Sequence, residues 1–232
     1  MSYRSLAVAA LLIATPLPAL AQVGHLPAQS PFQDLDYRQE LSLYTGWLSA
    51  GEDPAGVAPR SGPMLGARYE VRIGGPAQFT ARLARVFSER QEIDPGEPAA
   101  TRAVGMRDVG LYLGDVSLSL NLTGQKSIRR LVPVLNAGVG LASDFGGRDA
   151  GGYRFGTTFA FTFGGGVRWI PRDKWQLRAD FADYVYQIQY PDTYYVPATT
   201  GEDDAVLGDG QRTSVWKHNL ALTVGVSYLF FR

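Results

Sequence analysis

The chain has 232 residues, with 22 basic and 22 acidic side chains, 27 glycines and no cysteine. Balanced charge removes the usual electrostatic reason to expect nucleic acid as a partner. The lack of cysteine excludes disulfides, thiol chemistry and a lipidated cysteine after a leader.

The first segment, 1–21, has the pattern of a secretory signal. Arg4 supplies the positive end, Leu6 to Ala14 the apolar core, and Ala19-Leu20-Ala21 the small-residue cleavage site, so Gln22 is the expected mature start. That core is too short to cross a bilayer as a helix, and no later stretch offers the roughly 18 apolar residues a helical span needs. The lead at 22–38 is broken by proline, at Leu26-Pro27 and Ser30-Pro31, and does not alternate. Two readings stay open for it: a tether, or a short piece that enters or caps a periplasmic mouth.

From 39 to 232 the chain alternates. Eight strands are expected near 39–49, 62–73, 77–89, 108–122, 130–143, 155–170, 174–188 and 214–231. Side chains two apart share a face of a strand, and here one face is apolar and aromatic while the other is small, polar or charged. The last strand is the clearest: Trp216, His218, Leu220, Leu222, Val224, Val226, Tyr228 and Phe230 stand opposite Lys217, Asn219, Ala221, Thr223, Gly225 and Ser227. Its length exceeds the five or six residues typical of soluble sheets and meets the roughly nine to eleven of a tilted membrane strand. The predicted fold is therefore all-β, an eight-stranded antiparallel up-and-down transmembrane β-barrel with lipid outside and a polar lumen.

Connections alternate in length. Tight turns fall at Gly74-Gly75-Pro76, Thr123 to Arg129 and Pro171-Arg172-Asp173, and longer polar loops at 50–61, 90–107, 144–154 and 189–213. Short periplasmic turns and long external loops are the layout of outer-membrane barrels, and an even strand count puts both termini in the periplasm. Arg85 and Asp183 fall on the apolar face, which calls for a place near the long-loop rim or a bulge that shifts the register. Pro133 cannot donate to a ladder, which calls for a bulge or a rim position.

This face assignment sends Glu40, Arg68, Glu70, Arg72, Arg82, Asp115, Arg168, Arg178, Asp180 and Lys217 into the lumen. An eight-stranded barrel is only wide enough for side chains to fill, and charges buried there must pair. The roster reads as a structural salt-bridge plug, with glycines at 138, 140, 156, 164, 166 and 225 leaving room for the arginines.

Catalytic chemistry finds little to work with. The two histidines are His25 in the lead and His218 on the apolar face, neither with a serine and an acid at triad spacing, and no nucleophile elbow is present. Gly124-Gln125-Lys126-Ser127 mimics the end of a phosphate loop but lacks its first glycine and its helix. The last loop carries Tyr190, Tyr194, Tyr195, Glu202, Asp203, Asp204 and Asp209. Such carboxylates can hold calcium or bridge lipopolysaccharide through divalent ions, yet their order fits no calcium motif. No metal and no cofactor is expected.

The eight strands, the run from Pro133 to Leu141 and the aromatic-rich end together resemble the outer-membrane β-barrel superfamily of the OmpA transmembrane domain and OmpX, over about residues 39–231. The resemblance implies an integral outer-membrane protein surrounded by lipid and lipopolysaccharide, and a monomer; the missing catalytic constellation argues against an enzyme. It implies an assembly signal at Leu222, Val224, Val226, Tyr228 and Phe230, read by the barrel-assembly machinery, with Phe231 and Arg232 as a departure from the usual aromatic end. The function expected is structural or surface-interacting through the loops. A narrow porin-like channel is the alternative; a lipid-modifying enzyme and a soluble lipocalin-like barrel with inverted faces stand behind it.

Overall fold

The computed structural model describes residues 30–172, 174–198, 205–208 and 212–230. The expected leader, the lead up to residue 29, and Glu202, Asp203, Asp204 and Asp209 lie outside the described residues. Phe32–Arg232 forms one compact unit. Among the described residues its regular structure is antiparallel strand, with one 3-10 turn at Asp192–Tyr195.

Two short strands, β1 (Phe32–Asp34) and β6 (Lys126–Ile128), accompany eight long ones. The long strands are β2 (Gln39–Ser49), β3 (Gly62–Gly74), β4 (Ala77–Ile93), β5 (Ala103–Asn121), β7 (Leu131–Ser143), β8 (Thr157–Arg172), β9 (Trp175–Gln189) and β10 (Ser214–Phe230). Each pairs with its successor, and β10 returns to pair with β2 from Gln39↔Phe230 to Ser49↔Leu220, so the ring has no free edge. Both ends of the ring sit at the short-turn rim.

The alternation read from the sequence fixes which face looks out. Leu43, Leu65, Leu83, Leu118, Phe163, Leu177, Leu222 and Val224 are all exposed, while Glu40, Arg68, Arg82, Asp115, Arg168 and Arg178 are buried. An apolar exterior around a charged interior is the reverse of a lipocalin-like barrel. Two small-residue sites permit close packing inside: a Cβ on Gly66 would lie 2.4 Å from the Tyr44 ring, and one on Gly166 would lie 2.4 Å from the Asp180 carboxylate.

Two details depart from expectation, at the β4–β5 hairpin and the 123–129 turn, and two others choose the rim over a bulge where both were open. The β4–β5 hairpin runs on past residue 89, through Glu89↔Asp108 to Ile93↔Ala103. The polar run at 89–92 marks emergence into water rather than the end of pairing, and Arg107 bonds Glu92 across the ladder at 3.0 Å. The ladder carries no bulge at Pro133: β7 keeps its register with β8 there, and the Pro133 carbonyl accepts from Leu122 N–H at the rim. No register shift occurs beside Arg85 or Asp183; the shifts lie between Arg72 and Gly74, Glu92 and Ile93, and Trp169 and Arg172. Finally, the turn expected at 123–129 contains β6, which joins β7 through Arg129 and Arg130, both at positive φ.

The lead does not stay outside the ring. Phe32–Asp34 pairs with Lys126–Ile128, and the chain then turns inward, burying Leu35 and Tyr37 against Val132, Val134 and Leu229. Arg72 fixes this entry, donating to the Leu35 carbonyl at 2.8 Å and lying over the Tyr37 ring.

Candidate functional site

The lumen is layered along its axis. Down β9 from the short-turn rim, the inward residues read Gln176, Arg178, Asp180, Ala182, Tyr184, Tyr186 and Ile188, passing from charged to apolar. The charged layer lies between two apolar ones.

That layer contains four arginines and four carboxylates: Arg68, Arg82, Arg168 and Arg178 with Glu40, Glu70, Asp115 and Asp180. Strand pairing puts Glu40 directly beside Glu70, Arg168 beside Arg178, and Arg68 beside Arg82. Like charges side by side on neighbouring strands repel. Closure of the ring turns this to advantage, because the glutamate pair on β2–β3 meets the arginine pair on β8–β9 across the lumen. Arg178 Nη1 reaches Glu40 at 2.9 Å and Glu70 at 2.6 Å, and Arg168 Nη2 reaches Glu70 at 2.7 Å. Arg178 also bonds Asp180, whose other donor is Arg68 at 2.8 Å. Arg82 bonds Asp115, which accepts from the Tyr184 hydroxyl as well.

Neutral side chains complete the set. Gln176 and Ser42 donate to Glu40, Thr80 donates to Glu70, and Arg168 donates to Gln78 and to the Tyr37 hydroxyl of the lead. Eight of the ten charged residues assigned to the lumen by sequence therefore meet in one neutral layer. The other two do not join it. Arg72 serves the lead at the short-turn rim, and Lys217, near the opposite rim, is only half-buried and makes no ion pair among the described residues.

The long-loop end of the lumen is not polar, contrary to the sequence expectation. Leu48, Met64, Val86, Leu111, Tyr186 and Ile188 fill it, joined from above by Val57, Tyr153, Tyr190, Tyr194 and Leu207 of the loops. Three loops fold over the mouth instead of standing away from it. Asp53 ties the first, accepting from the Ala55 and Ala58 amides and from the Tyr190 hydroxyl. Arg90 on the projecting hairpin bonds Asp149 at 2.8 Å and lies over the Tyr153 ring. Sequence reading missed this cap because its buried residues are scattered through polar loops with no period. The tyrosines of the last loop were the visible signal.

Burial holds the Tyr153, Tyr190 and Tyr194 phenols above the ordinary tyrosine pKa, with the adjacent Asp53 adding to the effect at Tyr190. In a phenolate absorbance titration these three should stay protonated above pH ~10, where exposed tyrosines ionise. A folded pKa above the unfolded one means that their contribution to stability is whole below that pH and is lost as pH rises beyond it. All 12 tyrosines ionising together near pH ~10 in the folded protein would contradict the buried cap.

The exceptions on the outer face have partners. Asp183 accepts from the Asn219 amide and lies 2.6 Å from His218 Nδ1. The structure thus gives His218 the acid that linear spacing hid. Ser49 stands opposite Leu220 on the adjoining strand, but no hydrogen bond joins it to His218 among the described residues. Arg85 lies over the rings of Phe87 and Tyr112. Among the described residues no cluster of acids and histidines suited to a metal occurs. The row Leu222, Val224, Val226 and Tyr228 faces outward along β10.

A closed ring of eight strands, an apolar belt and an ion-paired interior define the molecule as an eight-stranded transmembrane β-barrel. Among solved structures the chain is similar to Neisserial surface protein A, at 17% identity and a TM-score of 0.49, over 83% of this chain and 97% of that one. It is similar to the outer membrane protein OprG from Pseudomonas aeruginosa at 10% identity and 0.49, over 84% and 98% of the two chains. The N-terminal β-barrel domain of OprF from the same organism is similar at 8% and 0.47, over 85% and 100%. No protein-family model and no curated protein matches the chain.

Proposed function

We propose that this protein is an integral outer-membrane barrel whose lumen is a structural plug, and that it acts on its surroundings through its outer wall and loops in envelope integrity or surface interaction. One observation carries the reading. The neutral layer of four arginines and four carboxylates is sealed on one side by Leu35 and Tyr37 and on the other by the loop cap. A continuous water path would separate these ions, and little else in so narrow a ring could neutralise them.

In this reading the short-turn rim, with both ends of the ring, faces the periplasm and the long loops face outward. Membrane lipids and lipopolysaccharide surround the belt of a monomer. The outward row Leu222, Val224, Val226, Tyr228 and Phe230 is what the barrel-assembly machinery reads. The reading includes no enzymatic activity, since among the described residues no nucleophile is bonded to the Asp183–His218 pair.

Planar-bilayer recording tests the plug. Protein whose closed fold is verified by a heat-modifiable electrophoretic shift should give no unitary conductance steps. Reproducible single-channel openings would overturn it in favour of the narrow channel.

A further inference from the structure

Arg85 does not share the inward direction of the arginines in the lumen layer. It belongs to the outward row Leu83, Arg85, Phe87 of β4, with Leu65 opposite it on β3 and Tyr112 on β5. Asp183 on β9, also outward, has His218, and the outward Glu89 and Asp108 lie nearer the loops. Arg85 has the two aromatic rings and, among the described residues, no hydrogen bond and no ion pair. A guanidinium at the edge of a lipid belt presents five donors that need acceptors.

Its surroundings are shaped as well as charged. The guanidinium lies against β5 at Gly110, where a Cβ would come within 3.2 Å of Nε and 3.4 Å of Nη2. Beside it a groove of about 430 Å³ runs between Trp47, Pro63, Phe87 and Gly110. On the loop side this groove ends at Glu89 and Asp108, which face each other across the β4–β5 ladder. Two carboxylates on the watery side repel a free anion arriving from solvent. On the membrane side the approach is over Leu65 and Leu83 and is apolar.

We propose that Arg85 anchors a lipid site on the outer wall near the long-loop rim. Its guanidinium binds the anionic phosphate of a membrane lipid, whose headgroup end lies in the groove beside Trp47 and whose acyl chains run over Leu65 and Leu83 toward the membrane interior. The planar donor fork suits phosphate, and the two rings hold it in place by cation–π contact. The site rests on the reading of the outer face as membrane-embedded and adds to it a specific lipid chemistry.

Trp47 is a built-in reporter. In full-length protein carrying W169F, W175F and W216F, Trp47 is the remaining tryptophan of the four. The protein is placed in phosphatidylcholine vesicles with brominated acyl chains on one lipid at a time. Brominated phosphatidylcholine should quench Trp47, which reports embedding alone. Brominated phosphatidic acid should quench it at about tenfold higher apparent affinity, the size of one charged hydrogen-bonded contact. Brominated diacylglycerol, which lacks the phosphate, should show no such excess. R85Q should bring phosphatidic acid down to the level of phosphatidylcholine, and R85K, a point charge without the fork, should keep part of the preference. Both variants are checked for the heat-modifiable shift.

Equal quenching by phosphatidic acid and phosphatidylcholine in the parent protein would overturn the site, as would an excess that survives R85Q. Loss of the excess on adding inorganic phosphate would show a plain anion site instead. No quenching by phosphatidylcholine would remove the embedded reading itself.

Discussion

Replacing Arg178 with methionine is expected to lower stability by about 3–5 kcal/mol, the cost of leaving buried charge uncompensated. Arg178 touches Glu40, Glu70 and Asp180 at once. Without it, Glu40 and Glu70 remain side by side with Arg168 as their shared counter-ion. The methionine preserves much of the volume, so the loss reports charge more than packing. Adding Glu70→Gln restores neutrality and should recover a large part of the loss, a coupling that a double-mutant cycle isolates. Urea titration of the reconstituted protein, followed by the electrophoretic shift, measures all four species. A single-variant cost below about 1 kcal/mol, as for a solvated surface pair, would mean that the layer is wet and would weaken the plug.

On the opposite face the sharpest substitution is Leu222→Arg. Leu222 lies midway along β10, is 58% exposed, and pairs with Trp47 on one side and Phe181 on the other. An arginine at mid-depth of a barrel's lipid face costs about 2–4 kcal/mol. The neighbouring Thr223 points to the other face, and Thr223→Ser should change the same measurement by less than about 0.5 kcal/mol. The contrast between adjacent positions is the test, since overall expression or refolding defects would affect both. Equal sensitivity of the two would contradict the assignment of outside and inside.

The barrel was legible because a period of two, held over eight strands, leaves little freedom. Once Phe161, Phe163 and Val167 face one way, Thr162, Gly164 and Arg168 must face the other. The charged lining came from the same parity, which is why eight of the ten assigned residues meet. What parity cannot say is how high along the axis a residue sits. Arg72 and Lys217 have the right face but lie near the rims, and no local signal separates them from Arg168. Partners across the lumen were equally hidden: Glu70 and Arg178 are 108 positions apart in the chain. Linear spacing likewise concealed Asp183 from His218, 35 positions away. The cap stayed unread, and the lead was left between two readings, for a different reason. Tyr37, Val57, Tyr153 and Leu207 sit in irregular segments, where burial is decided by the shape of the finished mouth rather than by any pattern nearby.

The seam between β2 and β10 has a consequence for biogenesis. The opening stave of the cylinder finds its mate only in the closing one, so any shorter length of chain is a curled sheet with two raw margins of unsatisfied amides and carbonyls. Such margins are intolerable in hydrocarbon and adhesive in water. The ionic clasp compounds this, for Glu40 and Glu70 come early in translation and Arg168 and Arg178, which answer them, come late. Neither half can be stored in a finished state. Insertion and cyclisation should therefore coincide, in one late, all-or-none event governed by long-range pairing.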